Sequence, residues 1–187
     1  MKRLFLSLVA LLVLLPPIAE AREAAGVQVP DAVEVQGEKL ALNGAGVRTR
    51  FFVKVYVGAL YLKQRAGNAA VAIEQAPPKS VRLHFLYKEV SAEKLVEAWN
   101  DGFRANTAGD ALDRLDERIA QFNVLFPAVR KGDTIRLDLL ADGTTRVAVN
   151  DQALGTIPGA DFQQALLRIW LGEKPADSGL KRAMLGG

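Results

Sequence analysis

Cysteine is absent from these 187 residues, so disulfides, thiolate metal sites and cysteine nucleophiles are all unavailable. Histidine occurs once, as His84, in a run where it alternates with Val81, Leu83 and Phe85. An imidazole in that register is far more often structural or solvated than a general base. Nucleophilic triads and histidine-rich metal sites therefore have little to build on, and neither a metal nor another cofactor is expected. A strong excess of one charge is missing too: 24 Lys and Arg face 21 Asp and Glu, and the two signs alternate along most of the chain. Without a basic patch interleaved with aromatics, nucleic acid is not an expected partner.

Long apolar runs are also lacking. The longest, residues 4–15, follows Lys2 and Arg3 and is broken by Pro16 and Pro17 before Ala19-Glu20-Ala21. A basic start, an apolar stretch too short to span a bilayer comfortably and a small-x-small end read as a secretory signal peptide over residues 1–21, cut before Arg22. In a Gram-negative source the product would be periplasmic, with no stable membrane span after cleavage. Removing Lys2, Arg3 and Glu20 lowers the net charge from +3 to +2. The remaining residues 22–187 suffice for one domain with a sizeable core, and without cysteine its stability must come from that core.

Periodicity divides this domain. Residues 22–30 read as a loose lead-in. Val33, Val35, Leu40 and Leu42, interrupted at Gly37-Glu38, predict a short hairpin, and Asn43-Gly44-Ala45-Gly46 lets the backbone turn or pass close to another element. Residues 47–62 then predict one long strand: Val47, Phe51, Val53, Val55, Val57 and Tyr61 form an apolar row, while Arg48, Arg50, Lys54 and Tyr56 form a cationic and phenolic one. A short strand is expected at 70–74, and another where Val81, Leu83, Phe85 and Tyr87 alternate with Arg82, His84 and Leu86. At Ser91, a suitable N-cap, the period changes to helical, with Leu95, Val96, Trp99 and Phe103 on one face. Asp110 opens a second helix carrying Leu112, Leu115, Ile119 and Phe122, which Pro127 stops. Strands at 134–140 and 144–149 flank Asp142-Gly143, a strong hairpin signal. Residues 150–159 return through turns to a helix capped by Asp161, with Gln164 placed as in a capping box, Phe162, Leu166, Ile169 and Trp170 inward, and Gly172 at its end. Ser178 caps a last helix bearing Leu180 and Leu185. Strand runs joined by hairpins and interrupted by helical runs indicate the α+β class: a mostly antiparallel sheet with helices on one face.

Few residues suggest chemistry. Asp113 with Asp116 or Glu117 has helical spacing, but Arg114 and Arg118 lie between and around them, as on any solvated face. Trp99 and Phe103 could line a cleft, though a stripe at that spacing is first of all core. The cationic row of the long strand is the exception. Arg50 and Lys54 can face water and restrain edge association. Arg48 follows Gly46-Val47, where its guanidinium can be aimed inward to hold a carboxylate, phenolate or enolate through two parallel hydrogen bonds.

Gly44-Ala45-Gly46-Val47-Arg48, Phe52-Val53-Lys54 and Gly58-Ala59-Leu60-Tyr61-Leu62 resemble the opening motif of chalcone isomerase-like proteins. Leu171-Gly172-Glu173 with Leu180-Lys181-Arg182 resembles their closing motif. The resemblance implies an open-faced β-sandwich, a large antiparallel sheet covered by a layer of helices with a ligand cleft between. In the plant enzymes of this family an Arg steers a chalcone whose phenolate closes the ring, while hydroxyl and amide groups order a water at the ketone, stabilising an enolate-like transition state. Of that set only the Arg carries over, as Arg48. One catalytic Thr falls at Tyr56 and the other at Ile169, which cannot donate a hydrogen bond. The family's Tyr and Asn fall near Ser91 and Ala98, with Tyr87 and Asn100 as neighbouring substitutes, and the loop between Arg48 and Lys54 is shorter. Other members of the family bind fatty acids through an Arg and a Tyr. Arg48 and Tyr56, eight residues apart on one strand face, match that pair.

The expectation is an exported, non-catalytic protein that binds a small amphipathic anion such as a fatty acid. Arg48 is the anchor, with Tyr56, Tyr87, Trp99, Asn100 and Ile169 as further ligand contacts. Two alternatives are an intramolecular lyase or isomerase using Arg48 and Tyr56, and an envelope scaffold that uses the cationic strand face.

Overall fold

The computed structural model describes residues 21–187. The leader expected over residues 1–21 lies, except for its last residue, outside them. The described chain opens with a hairpin, β1 (Ala21–Ala24) and β2 (Val27–Pro30), turned at Ala25-Gly26 with φ of 49° and 82°. It is ordered rather than a loose lead-in because Val27 and Val29 find an apolar surface to cover. Next come β3 (Ala32–Val35), β4 (Glu38–Arg50), β5 (Val53–Leu62), α1 (Ala69–Glu74), β6 (Lys79–Phe85), β7 (Glu89–Val90) and α2 (Ala92–Asn106). After α3 (Asp110–Asp113), α4 (Asp116–Asn123) and β8 (Val129–Arg130), strands β9 (Thr134–Leu139), β10 (Thr145–Val149) and β11 (Gln152–Ile157) lead to α5 (Ala160–Leu171) and α6 (Ser178–Met184).

Seven strands make one antiparallel sheet in the order β11-β10-β9-β6-β5-β4-β3. One face packs against the helices around Leu60, Leu83, Phe103, Phe122, Leu137, Phe162, Leu166 and Trp170, all buried. Each such side chain contributes about 1.5–3 kcal/mol by leaving water. On the other face the β1–β2 hairpin covers only the β3-β4-β5 end, through Val29, Val33, Leu40, Val57, Ala59 and Tyr61, and Tyr61 donates its hydroxyl hydrogen to Pro30 O at 3.0 Å. The α+β architecture therefore has one closed and one half-open sheet face.

The largest departure from the sequence reading is at residues 47–62, which are two strands rather than one. Phe51 and Phe52 form a two-residue turn with φ of 48° and 66°, and Arg50 pairs with Val53 across it. Such a turn normally takes Asn and Gly, so an aromatic pair conceals it. Phe51 is consequently 83% exposed instead of inward. The ladder also slips between Arg48 and Thr49, so Val55 and Tyr56 both reach the helix side, whereas Val57, Ala59 and Tyr61 face the second core.

Smaller corrections have similar local causes. Residues 70–74 are helical because Asn68 caps α1, accepting hydrogen bonds from Ala70 N at 2.8 Å and Val71 N at 3.4 Å. Residues 150–159 contain β11, entered through Asn150-Asp151 with φ of 50° and 64°. The second expected helix breaks into α3 and α4 and begins at Gly109 without a side-chain cap. Asp161 does not cap α5: it lies in the first turn, held by Arg118 at 2.6 and 2.7 Å. Asp177, not Ser178, caps α6, accepting from Leu180 N at 2.8 Å. Ser91, Gly172 and Asp142-Gly143 do stand at the helix start, helix end and hairpin read from the sequence.

The Gly44-Ala45-Gly46 segment explains how the helix layer is seated. A Cβ at Gly44 would overlap the carbonyl oxygen of Ala183, one at Gly46 the methyl group of Ala183, and one at Gly58 would come within 3.2 Å of Leu180. Gly46 and Gly58 are paired across β4 and β5, so together they form a flat platform for α6. Asn43 clamps the far end: its amide donates to Ala66 O at 3.0 Å and Met184 O at 2.7 Å and accepts from Ala66 N at 2.6 Å. Thr49 N donates to Asp177 Oδ2 at 2.9 Å, tying the start of α6 to β4 beside Arg48.

Candidate functional site

Where β4, β5 and β6 run past the start of α2, the two layers part and leave a cleft of about 330 Å³. This is at the small end of the range for ligand pockets, roughly 300–1,000 Å³. Val53, Val55, Phe85, Val90, Leu95 and Trp99 make its walls apolar, and Tyr56 and Arg48 lie within it. Arg50, Phe51 and Tyr87 also line it; Tyr87 is 44% exposed.

Arg48 and Tyr56 are brought together, but not along one strand. They are cross-strand partners in the β4–β5 ladder, with the guanidinium carbon 5.5 Å from the centre of the phenol ring. Arg48 makes no ion pair among the described residues, and its Nε is buried without a hydrogen-bond partner. Tyr56 is 3% exposed and stands edge-on to Phe85. Its oxygen accepts the indole hydrogen of Trp170 Nε1 at 2.9 Å. Burial pushes the phenol pKa up; the positive Arg48 and the Trp170 hydrogen bond oppose that, and the negative Asp177 adds to it. Tyr56 therefore keeps its proton in neutral solution and can donate it to an acceptor in the cleft. A half-buried guanidinium beside a neutral phenol is suited to a carboxylate, one oxygen on each donor or two on the guanidinium.

Trp99 forms the inner wall, packed on Trp170, Phe122 and Phe126 at 5.9, 5.9 and 5.5 Å between ring centres. Its Nε1 is also buried without a partner. Asn100 is not in the cleft: its Oδ1 accepts from Asn123 Nδ2 at 2.8 Å, between α2 and α4. Ile169 is outside it as well, packed where α5 crosses α2 and close enough to Gly102 that a Cβ there would lie 2.8 Å from it. The residue after it, Trp170, supplies the hydrogen bond to Tyr56. Sequence reasoning placed Trp170 only in the core, because an indole on an apolar helical stripe gives no sign of which way its N–H points. Phe85 and Leu95 were likewise read only as apolar positions of a strand and a helix.

Three other hollows have a comparable or larger volume: one of about 330 Å³ on the half-open sheet face, lined by Arg82, His84, Thr134, Arg136, Asn150 and Asp151, and two in which several polar groups are engaged with backbone. Around the one of about 540 Å³ between α1 and the end of α5, Asn106 donates to Gly102 O and Lys174 O, and Lys181 donates to Gly172 O. In the one of about 370 Å³ beside Lys79, that ammonium donates to Ile73 O at 2.5 Å and Gln163 donates to Leu140 O and Thr144 O. Among the described residues there is no group of three or more His, Asp or Glu able to hold a metal ion. His84 lies on the half-open sheet face, its Nδ1 3.2 Å from Thr134 Oγ1. Burial and the neighbouring Arg82 lower its pKa. No helix among the described residues is long and apolar enough to cross a membrane.

Comparison with known proteins adds two findings. A family model described as chalcone isomerase-like matches residues 21–186. Among solved structures, a fatty-acid binding protein of Arabidopsis thaliana superposes with a TM-score of 0.67 at 16% identity, covering 86% of this chain and 92% of the plant chain. At that identity the likeness shows the fold. No curated protein sequence matches the chain.

Proposed function

We propose that this chain, which belongs to the chalcone isomerase-like family, is a non-catalytic binding protein for a small amphipathic carboxylate, with a fatty acid as the leading candidate. The observation that carries this reading is the unpaired Arg48 in an apolar cleft beside a neutral phenol. A half-buried cation whose Nε is enclosed without a partner is costly, and an anionic headgroup relieves that cost while its acyl chain covers Val55, Phe85, Leu95 and Trp99. The modest cleft volume favours a medium acyl chain over a long one. The similarity to a plant protein described as binding fatty acids supports the same reading.

Ring closure of a chalcone is not part of the proposal. Ile169 cannot hydrogen-bond, Asn100 is committed to Asn123, and among the described residues only Tyr56 and Tyr87 bring a hydroxyl to the cleft, the second of them exposed. The basic, apolar and small-residue pattern of residues 1–21 supports export, and the N-terminal sequence of the mature protein tests that part.

Native mass spectrometry and lipid extraction of protein purified from the cell that makes it test the binding reading. A co-purifying fatty acid that is lost in Arg48→Ala is expected. Absence of any acid from the wild-type protein, or its retention in Arg48→Ala, contradicts the proposal, and turnover of chalcones or related enones that depends on Tyr56 would replace it with the isomerase reading.

A further inference from the structure

The cleft opens beside the β4–β5 turn, whose residues Phe51 and Phe52 are 83% and 102% exposed. Two adjacent aromatics in water, both in the left-handed backbone region, are not explained by packing in the core. Val53, also exposed, extends the apolar tip, and Arg50 stacks on Phe51 with its guanidinium carbon 5.6 Å from the ring centre. Arg50 and Lys54 flank the tip, and Lys94 lies across the mouth on α2. Of the two carboxylates lining the mouth, Glu89 is neutralised by Arg130 at 2.8 Å, which leaves Glu97 against Arg48, Arg50 and Lys94.

We propose that the β4–β5 tip docks the mouth of the cleft onto an anionic lipid bilayer, so that an amphipathic ligand passes between membrane and cleft without crossing water. An apolar wedge rimmed by cations matches a surface with apolar chains under anionic headgroups. The β4–β5 pairing runs on to Arg50 and Val53 past the last β5–β6 pair, Tyr56 with Phe85, and the same residues that would enter the bilayer continue into the apolar wall through Val53 and Val55. A second copy of the chain is the other possible occupant, but the cationic rim would repel its equivalent in a two-fold contact.

Docking can be measured with the cleft empty, so its outcome is separate from that of the fatty-acid reading. Delipidated Phe52→Trp protein is mixed with vesicles of phosphatidylglycerol and phosphatidylcholine that carry brominated acyl chains. Val71→Trp, on α1 at the opposite end of β5, serves as a reporter on another exposed surface and controls for the N-terminal residues. The indole at 52 is expected to be quenched while the one at 71 is not. Adding Phe51→Ser should weaken vesicle binding about tenfold, and Arg50→Glu with Lys54→Glu should remove the preference over pure phosphatidylcholine, with the thermal melt retained in each. No quenching at 52, equal quenching at 71, or loss of self-association instead of vesicle binding in Phe51→Ser overturns the proposal.

Discussion

Tyr56 uses one hydroxyl in two ways: its oxygen accepts the Trp170 indole hydrogen, and its own proton is left for whatever enters the cleft. Tyr56→Phe removes both and strands a buried indole N–H. A stability loss of about 1–3 kcal/mol is expected in urea denaturation, together with weaker ligand binding; unchanged stability would show that the Trp170 bond contributes nothing. Arg48 was legible in the sequence because it follows a glycine pair in a recognisable motif. Its pairing with Tyr56 was also anticipated, but by a different geometry: the turn at Phe51-Phe52 was hidden, and the two residues meet across a ladder rather than along one strand. Asn100 and Ile169 were chosen by position relative to the plant enzymes, and helix rotation points both away from the cleft.

At the scale of elements, the motif glycines act as a seat for α6 more than as a ligand loop. Gly46→Ala drives a methyl group into Ala183, and a loss of about 1–3 kcal/mol is expected from the overpacking. Ala183→Gly opens space at the same contact, so the double variant should recover part of that loss in a double-mutant cycle; additive losses would refute the contact. Gly44 faces the Ala183 carbonyl itself, and no side-chain change can relieve Gly44→Ala. The sequence showed that the glycines permit a close approach without showing to what, because the partner lies about 140 residues further along the chain. The β4–β5 turn makes a different prediction. Replacing Phe51-Phe52 by Asn-Gly should stabilise the protein by about 1–2 kcal/mol by removing left-handed strain, while abolishing bilayer docking. A destabilised Asn-Gly variant would mean that the phenyl rings hold the turn.

Across the whole molecule, most of the strands and helices that periodicity indicated are present, residues 70–74 being the one segment of the wrong type, and the α+β class was legible because the apolar repeat changes from two to helical at Ser91 and at the start of α5. The β1–β2 hairpin was not, since its strands are short and its apolar residues acquire meaning only against Val57, Ala59 and Tyr61. Two buried groups set opposite alkaline behaviour. Burial lowers the Lys79 pKa from 10.5 to about 8, so between those values the unfolded chain binds more protons and stability rises with pH. Burial raises Tyr61 from 10 to about 12, so its contribution is complete below 10 and is lost as pH rises towards 12. Urea midpoints should therefore rise above pH 8 and fall above 10, and Lys79→Met should flatten the rise while increasing stability at neutral pH. A rise that persists in Lys79→Met would assign it to another group. The central claim concerns the cleft, and calorimetric titration with dodecanoate and its methyl ester tests it most directly. The account predicts one-site binding of the acid by the wild type, weakened about 10–100-fold both in Arg48→Ala and on esterification. Equal affinity for acid and ester, or for wild type and Arg48→Ala, would contradict it.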